Sequence, residues 1–561
     1  MKKIFIPFVA ALALAVLPGC QKEFEQIVPN GGSLSPEQVQ AGATLSPERA
    51  NAGLVGLFSM YNQYNLFYAR QSDFGYPSLA QYLEEAGDNV VSTTHGYNWF
   101  GGGLKHDGFQ TKNSQPSGYA WNAGYKNIKL ANDIISQMKG GEADANIAHA
   151  LGNAYAMRAW DYFMLVQLFG KTYFGNEDTP GVVIVTEETP LDQLTNNPRV
   201  SVREVYDLIL SDLDNAATLL KGYNPIKSQI SEAVVYGIRA RVNLTMHKFA
   251  EAAADAKMAI ETFPGQPLSL NEVAIPTFDD VAAGASSMWG IIITDKDDVT
   301  QTGIANWTSM FTSLLWGSGG YTTMVGTYKM MNSRVYNLIP ESDIRRGWWG
   351  TPRLLGQDAG GNIFVTDNRE EAVAMGISSP AIERAYPDDA GWMAYEYRNY
   401  PYVVFKFAPN DKDIYSEINA VDFQLMRVEE MYYILAEAQA KAGDLAAGTK
   451  TLNDFVKTYR DPGFNRTFAS ADALADEIYF QKRIEFWGEG IVWFDMVRLH
   501  KGINRVDVAA GDNGGYPEST RYNIPDGDPM FLWQIPESEE QSNAAIAGNN
   551  NPAAVPPQDM M

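Results

Sequence analysis

The 561-residue sequence predicts a mostly α-helical scaffold that carries long loop-rich excursions, and three observations lead there. Apolar residues recur at helical spacing through the early segments. Two later segments repeat one set of small-residue offsets. Between them, and once nearer the N-terminus, Gly, Pro, Asn and Asp become frequent and the helical period fades. With 45% hydrophobic, 12% aromatic and only 20% charged residues, the composition supplies a packed core. The balance of 43 Lys+Arg against 67 Asp+Glu gives a formal charge of −24. Nucleic acid and anionic membrane surfaces both select basic patches, so no nucleic-acid partner is expected.

The first residues read as an export signal. Lys2 and Lys3 precede the apolar run from Ile4 to Leu17, which is too short to span a bilayer. Leu17-Pro18-Gly19-Cys20 follows and resembles the lipobox of bacterial lipoproteins. That resemblance implies removal of residues 1–19 and acylation of Cys20 with diacylglycerol and palmitate-type chains. An ordinary signal peptide with a chance cysteine is the alternative. Cys20 is the single cysteine, so no intrachain disulfide, Cys-based zinc site or CxxC pair exists. Several acyl chains anchor stably where one does not. Residues 20–45, rich in Gly, Ser, Pro, Asn and Gln, read as a flexible tether. Within it, Gln21-Lys22-Glu23-Phe24-Glu25 is either a surface-export signal or plain solvated spacer. No later segment is apolar over the roughly 18 residues a span needs. A soluble but tethered body is expected.

The helices follow in order. Ser46-Pro47-Glu48 opens the first, whose apolar residues are Leu54, Leu57, Phe58 and Tyr61. A second fits Trp121 to Met138, and a third runs from about Ala145 to Phe169 and stops at Gly170. A fourth covers Ser201 to about Leu220, with Val205, Leu208, Ile209, Leu213 and Ala216 as its buried stripe. The repeat then appears. Ala240 is followed by Phe249, Ala252 and Ala259; Ala436 is followed at the same offsets by Leu445, Gly448 and Phe455. Small residues at those places let two antiparallel helices approach closely, and the pattern resembles the tetratricopeptide hairpin. Generic helical hairpins are the plainer alternative. The irregular stretches cover residues 70–116 and 265–420, the latter with short β-rich runs at Trp289 to Thr294 and Tyr402 to Phe407. Long structured loops of this kind usually carry function. The resulting division is a signal peptide (1–19), tether (20–45), N-terminal helical region with the first excursion (46–264), irregular ligand-face excursion (265–420) and C-terminal helical region (421–561).

The C-terminal region carries the densest signatures. Asp422-Phe423-Gln424-Leu425-Met426-Arg427-Val428-Glu429-Glu430 leads into Ile434-Leu435-Ala436-Glu437-Ala438, with Leu452-Asn453 after it. Arg483-Ile484-Glu485-Phe486, Gly488-Glu489-Gly490 and Trp493-Phe494-Asp495-Met496-Val497-Arg498 come next, then Leu532-Trp533-Gln534-Ile535-Pro536 and Asn551-Pro552. These runs resemble the SusD/RagB family of lipid-anchored outer-membrane nutrient-binding proteins. Looser agreement extends to Trp121, Tyr125, Ile128, Ala131, Asn132, Arg158-Ala159, Leu165, Phe169-Gly170 and Asp343-Ile344-Arg345. Val492 and Gln534 depart from the family pattern, which has Arg and Pro there. The resemblance implies a non-catalytic protein at the cell outer membrane that captures an oligosaccharide for a TonB-dependent, SusC-like transporter. A peptide ligand is its alternative within the family. The signature charges have a physical reading too. On a helix, Glu485 and Glu489 stand one turn apart, where Arg483 and Arg498 would neutralise them as structure rather than catalysis.

Catalytic and cofactor motifs do not occur. No GxSxG is present, because Trp316 stands two residues before Ser318, and GxGxxG, GxxxxGK[ST] and HExxH are missing. The five histidines lack ligand spacing, so no metal and no cofactor are expected. A glycosidase with unrecognised carboxylates and a protein-binding tetratricopeptide scaffold are the readings from other classes. What stands out is the placement of aromatics. Trp99, Trp307, Trp316, Trp348, Trp349 and Trp392 all lie in the excursions. Aromatic faces stack on the apolar face of a pyranose while polar side chains read its hydroxyls. The candidate ligand residues are therefore Tyr97, Asn98 and Trp99, with Asp88 upstream, and Trp316, Tyr321 and Trp307. Trp99 and Trp316 lead this set; the alternative for each aromatic is a local packing anchor.

Overall fold

Helix α1 (Pro47–Ser59) opens the part of the chain that the computed structural model describes: residues 47–67, 71–93, 97–107, 110–274, 277–313, 315, 319–349, 356–357, 363–364, 402–412 and 416–561. Leu54 and Leu57 turn into the core as their spacing predicts. Ser46, Cys20 and the tether lie outside the described residues. Helix α2 (Tyr76–Ala86) is buried along its whole length and leads into strand β1 (Val90–Ser92). Helix α3 (Gln115–Met138) begins earlier than the apolar spacing suggested. The reason is local: the Ser114 hydroxyl accepts the Ser117 N–H at 3.3 Å, and Pro116 sits in the first turn. Helix α4 (Ala145–Phe169) keeps its predicted bounds, capped by Asp144 and released at Gly170. Helix α5 (Val202–Leu219) starts from a capping box in which Ser201 and Glu204 satisfy each other's backbone N–H.

The repeat is real in space. Helices α6 (Glu232–Thr245) and α7 (Phe249–Thr262) form the first hairpin. Strand β2 (Ser287–Ile291), the short helix α8 (Tyr321–Val325), strand β3 (Lys329–Met331) and strand β4 (Phe423–Arg427) then intervene. Helices α9 (Val428–Lys441) and α10 (Leu445–Tyr459) form the second hairpin, followed by α11 (Ala471–Glu485) and α12 (Val492–Arg498). Helix α7 packs directly on α9, so two hairpins far apart in sequence stack as neighbours. The small residues sit where the helices cross. Ala240 and Ala252 are fully buried, and a Cβ at Gly448 would stand 2.5 Å from the Ala436 carbonyl oxygen. With α3, α4 and α5 packed in series before them, the helices make a tetratricopeptide-like scaffold.

Short antiparallel pairs stitch the excursions in place. β2 pairs with β4, Ser287 opposite Arg427 and Ile291 opposite Phe423, which ties the second excursion to the scaffold. β1 pairs with β3, Val90 opposite Met331 and Ser92 opposite Lys329, which ties the two excursions to each other. The β-rich run at 402–407 contributes bridges from Val403 to Met330 and Val404 to Trp349. Residues Pro47–Met561 are thereby one compact unit.

The signature charges form a buried network, though not with the partners their spacing suggested. Glu485 accepts from Arg427 (2.9 Å), Arg460 (2.7 Å) and Arg345 (3.1 Å). Glu489 accepts from Arg427 at 2.9 Å and Lys406 at 2.6 Å, while Glu429 takes Arg460 at 3.0 Å and Asp343 takes Arg345 at 2.7 Å. Cations and carboxylates balance, which makes such burial tolerable. Burial alone would raise the Glu485 carboxyl, but Arg460 and Arg427 hold it well below the usual carboxylate range. Burial pushes the Lys406 ammonium down to about 8 against the pull of Glu489. The predicted neutralisers serve elsewhere: Arg483 pairs with Asp88 at 3.0 Å, and Arg498 with Glu437 and Asp495 at 2.6 and 2.7 Å. Nor does Glu489 continue the helix. The chain leaves α11 through Gly488 and Gly490, at φ +84 and +75, and a Cβ at Gly490 would press to 2.6 Å from that of Ala80.

Candidate ligand-binding site

The β1–β3 pair brings the first excursion against the second, and the loop after β1 holds Tyr97, Asn98 and Trp99. Its footing is polar and buried. Lys329 of β3 donates to the Ser92 hydroxyl at 2.9 Å and pairs with Glu85 of α2 at 2.8 Å. The Asn98 amide donates to the Thr93 carbonyl (3.1 Å) and Ser92 hydroxyl (3.3 Å), while its oxygen accepts the Phe100 N–H (3.3 Å). Asn98 thus folds the loop back on β1. From the other side, α8 presents Tyr321. Its ring stacks on Trp99 with centroids 4.5 Å apart and planes 22° from parallel. Its hydroxyl donates to the Tyr97 carbonyl at 2.5 Å, and its N–H to the Ser309 hydroxyl at 2.8 Å. Tyr321 is only 4% exposed, whereas Tyr97 is 77% exposed and Trp99 half-buried. Burial pushes the Tyr321 phenol up to about 12, with the Tyr97 carbonyl drawing it partly back, so it stays a donor at neutral pH. The result is an aromatic step in which Tyr321 stacks under Trp99 and holds the backbone of the exposed Tyr97 two residues before it.

Two members of the expected set lie away from this step. Trp307 is buried, its ring 4.7 Å from Phe407 and 5.3 Å from Phe423, edge-to-face with both, because the short helix Trp307–Phe311 faces the β2–β4 core. Asp88 is buried too, accepting from Arg483 and from the Asn504 N–H at 3.1 Å. Both are packing and charge-pairing residues. Trp348 and Trp349 are likewise core, the Trp348 indole donating to the Val273 carbonyl at 2.8 Å. Trp316, Trp392 and His95 lie outside the described residues. Spacing did not single out Ser309, which holds the Tyr321 backbone, or the tight turn at Gly320. A Cβ at Gly320 would stand 1.9 Å from the Leu315 carbonyl oxygen, so only glycine lets α8 start there. Among the described residues no cluster of His, Asp and Glu could hold a metal ion. No described helix is long and apolar enough to cross a membrane.

Two family models match the chain. One, SusD-like and described as starch-binding and associating with the outer membrane, covers residues 63–244; the other, the SusD family, covers residues 323–552. The chain belongs to the SusD/RagB family. A SusD-like protein, P38, from Formosa agariphila is 22% identical over 90% of the chain and 92% of its own length. Among solved structures, a SusD-like carbohydrate-binding protein from Bacteroides vulgatus superposes with a TM-score of 0.69 at 20% identity, over 91% of this chain and 98% of that one. A SusD superfamily protein from Bacteroides thetaiotaomicron gives 0.67 at 20% identity, over 91% and 100%. A laminarin-binding SusD-like protein gives 0.60 at 17% identity, over 90% and 99%. The family assignment agrees with the helical scaffold. The buried charge network shows what the SusD/RagB signature residues do in this chain.

Proposed function

We propose that this SusD/RagB-family protein is a non-catalytic cell-surface lipoprotein that captures an oligosaccharide and delivers it to a TonB-dependent outer-membrane transporter. The aromatic step carries the reading: an exposed Tyr97 beside a half-buried Trp99 whose underside is held by Tyr321. Rings presented this way offer a flat apolar surface to a sugar at little ordering cost, since the supporting contacts are already made. The laminarin-binding neighbour and the starch-binding family description support a glycan as the ligand. Anchoring at Cys20 and the tether of residues 20–45 would keep the body close to its transporter. Trp316, five residues before Tyr321 in sequence, remains a proposed second contact.

The test is isothermal titration of the ectodomain against laminari-, malto-, xylo- and manno-oligosaccharides and against mixed peptides. Binding to at least one glycan series is expected, with Trp99→Ala lowering its affinity about tenfold or more. Binding of peptides alone would contradict the glycan assignment. Shortened glycan products after incubation would contradict the non-catalytic one.

A further inference from the structure

Three exposed apolar side chains lie on segments that meet at α8. Tyr97 is 77% exposed, Met324 56% and Ile418 47%. Their placement is fixed by backbone contacts rather than by chance. Met324 lies on α8 three residues beyond Tyr321, exposed where Tyr321 is buried, and its N–H donates to the Gly320 carbonyl at 2.9 Å. Ile418 belongs to the turn 416–418, where the Ser416 hydroxyl donates to the Ile418 carbonyl at 2.9 Å. That turn presses on the start of α8: a Cβ at Gly319 would stand 2.4 Å from the Ser416 carbonyl oxygen. Tyr97 and Met324 therefore sit at opposite ends of one residue. The Tyr321 hydroxyl meets the Tyr97 carbonyl, and the Tyr321 backbone carries the turn that presents Met324.

We infer that Met324 and Ile418 are ligand-contacting, specificity-determining residues, forming a second apolar wall across from Tyr97 and Trp99. The inference rests on the glycan-capture reading above and extends it to ligand length. Tyr321 stands between the two walls, meeting Tyr97 through its hydroxyl and carrying Met324 on its own helical turn, so they are separate contacts for a ligand. A disaccharide rests on the aromatic step alone, whereas a longer chain also reaches Met324 and Ile418. A grouped set of exposed apolar side chains marks a binding surface far better than scattered ones do. Methionine also suits this position, because its flexible, polarisable thioether follows an irregular ligand face.

The test compares wild type, Trp99→Ala and the double variant Met324→Ser/Ile418→Ser by titration with two-unit and six-unit members of the four glycan series above. Both rim positions are exposed, and thermal unfolding confirms that the double variant folds. The expected result is a loss of about three- to tenfold in affinity for the six-unit ligand, with the two-unit ligand unchanged. Trp99→Ala loses both. If the double variant binds the six-unit ligand as wild type does while Trp99→Ala fails, the rim inference falls and the glycan reading stands. An equal loss for both lengths also overturns it. If wild type binds none of the glycans, the glycan reading itself fails, and the rim inference with it.

Discussion

Glu485 shows how much one residue decides in this chain. Its carboxylate is fully buried and shared by Arg345, Arg427 and Arg460, which come from three separate parts of the sequence. Removing one member of a balanced buried network leaves uncompensated charge, so Glu485→Gln should cost about 3–5 kcal/mol. Urea unfolding measures it, and a loss below 1 kcal/mol would contradict the role given to the network. Because the folded carboxyl is held below its ordinary value of 4.5, its contribution is present above that pH and is lost on acidification. Glu84 has the opposite sign. Burial raises its carboxyl to about 7, with the Gly490 N–H, bonded to it at 2.8 Å, pulling partly back. The folded protein therefore holds a proton that the unfolded chain has released, and stability falls as pH rises from about 4.5 toward 7. Glu84→Gln keeps the acceptor for Gly490 and should flatten that part of the melting-temperature profile; an unchanged slope would assign the fall to other groups. The sequence displayed Glu485 and Glu489 but not their partners. Proximity along the chain pointed to Arg483 and Arg498, whereas the real partners, Arg345, Arg427, Arg460 and Lys406, are brought in by tertiary folding. The same limit applies to aromatics. Trp307 and Trp99 look alike in an irregular stretch, and only the packing of the short helix Trp307–Phe311 against Phe407 and Phe423 separates core from surface.

At the scale of elements, the scaffold helices were the legible part, whereas α2 lies in the stretch 70–116 that reads as irregular. Gly170 marked the end of α4, Ser201 the start of α5, and the small-residue offsets both hairpins; the caps at Asp144 and the Ser201–Glu204 box appear only in the structure. What spacing could not supply was pairing between strands of three to five residues. β1 and β3 are short and far apart in sequence, yet their register places Tyr97 to Trp99 against α8. The site therefore depends on how α8 begins. Gly320→Ala would force a methyl group into the Leu315 carbonyl and shift Tyr321 from under Trp99. Glycan affinity should drop about tenfold while the melting temperature falls only a few degrees, since the displaced turn is peripheral to the helical stack. Full affinity in a folded Gly320→Ala protein would show that the position of Tyr321 does not matter to binding.

For the whole molecule, a helical stack with buried, balanced charges gives a rigid base, and the two stitched excursions present an aromatic surface on it. The strongly acidic chain, formal charge −24, fits a body held at a membrane by a lipid rather than by electrostatic attraction to anionic headgroups. Cys20→Ser should move the protein from the membrane fraction to the soluble fraction while leaving the affinity of its ectodomain unchanged. Retention in the membrane would assign anchoring to something other than the Cys20 lipid. The central claim is that Tyr97 and Trp99 are where a glycan lies, and the structure of the ectodomain bound to the oligosaccharide selected by titration tests it most directly. The account predicts a sugar ring stacked on the exposed face of Tyr97 or Trp99, with Tyr321 still beneath them; a glycan bound elsewhere, with both rings uncovered, would contradict it.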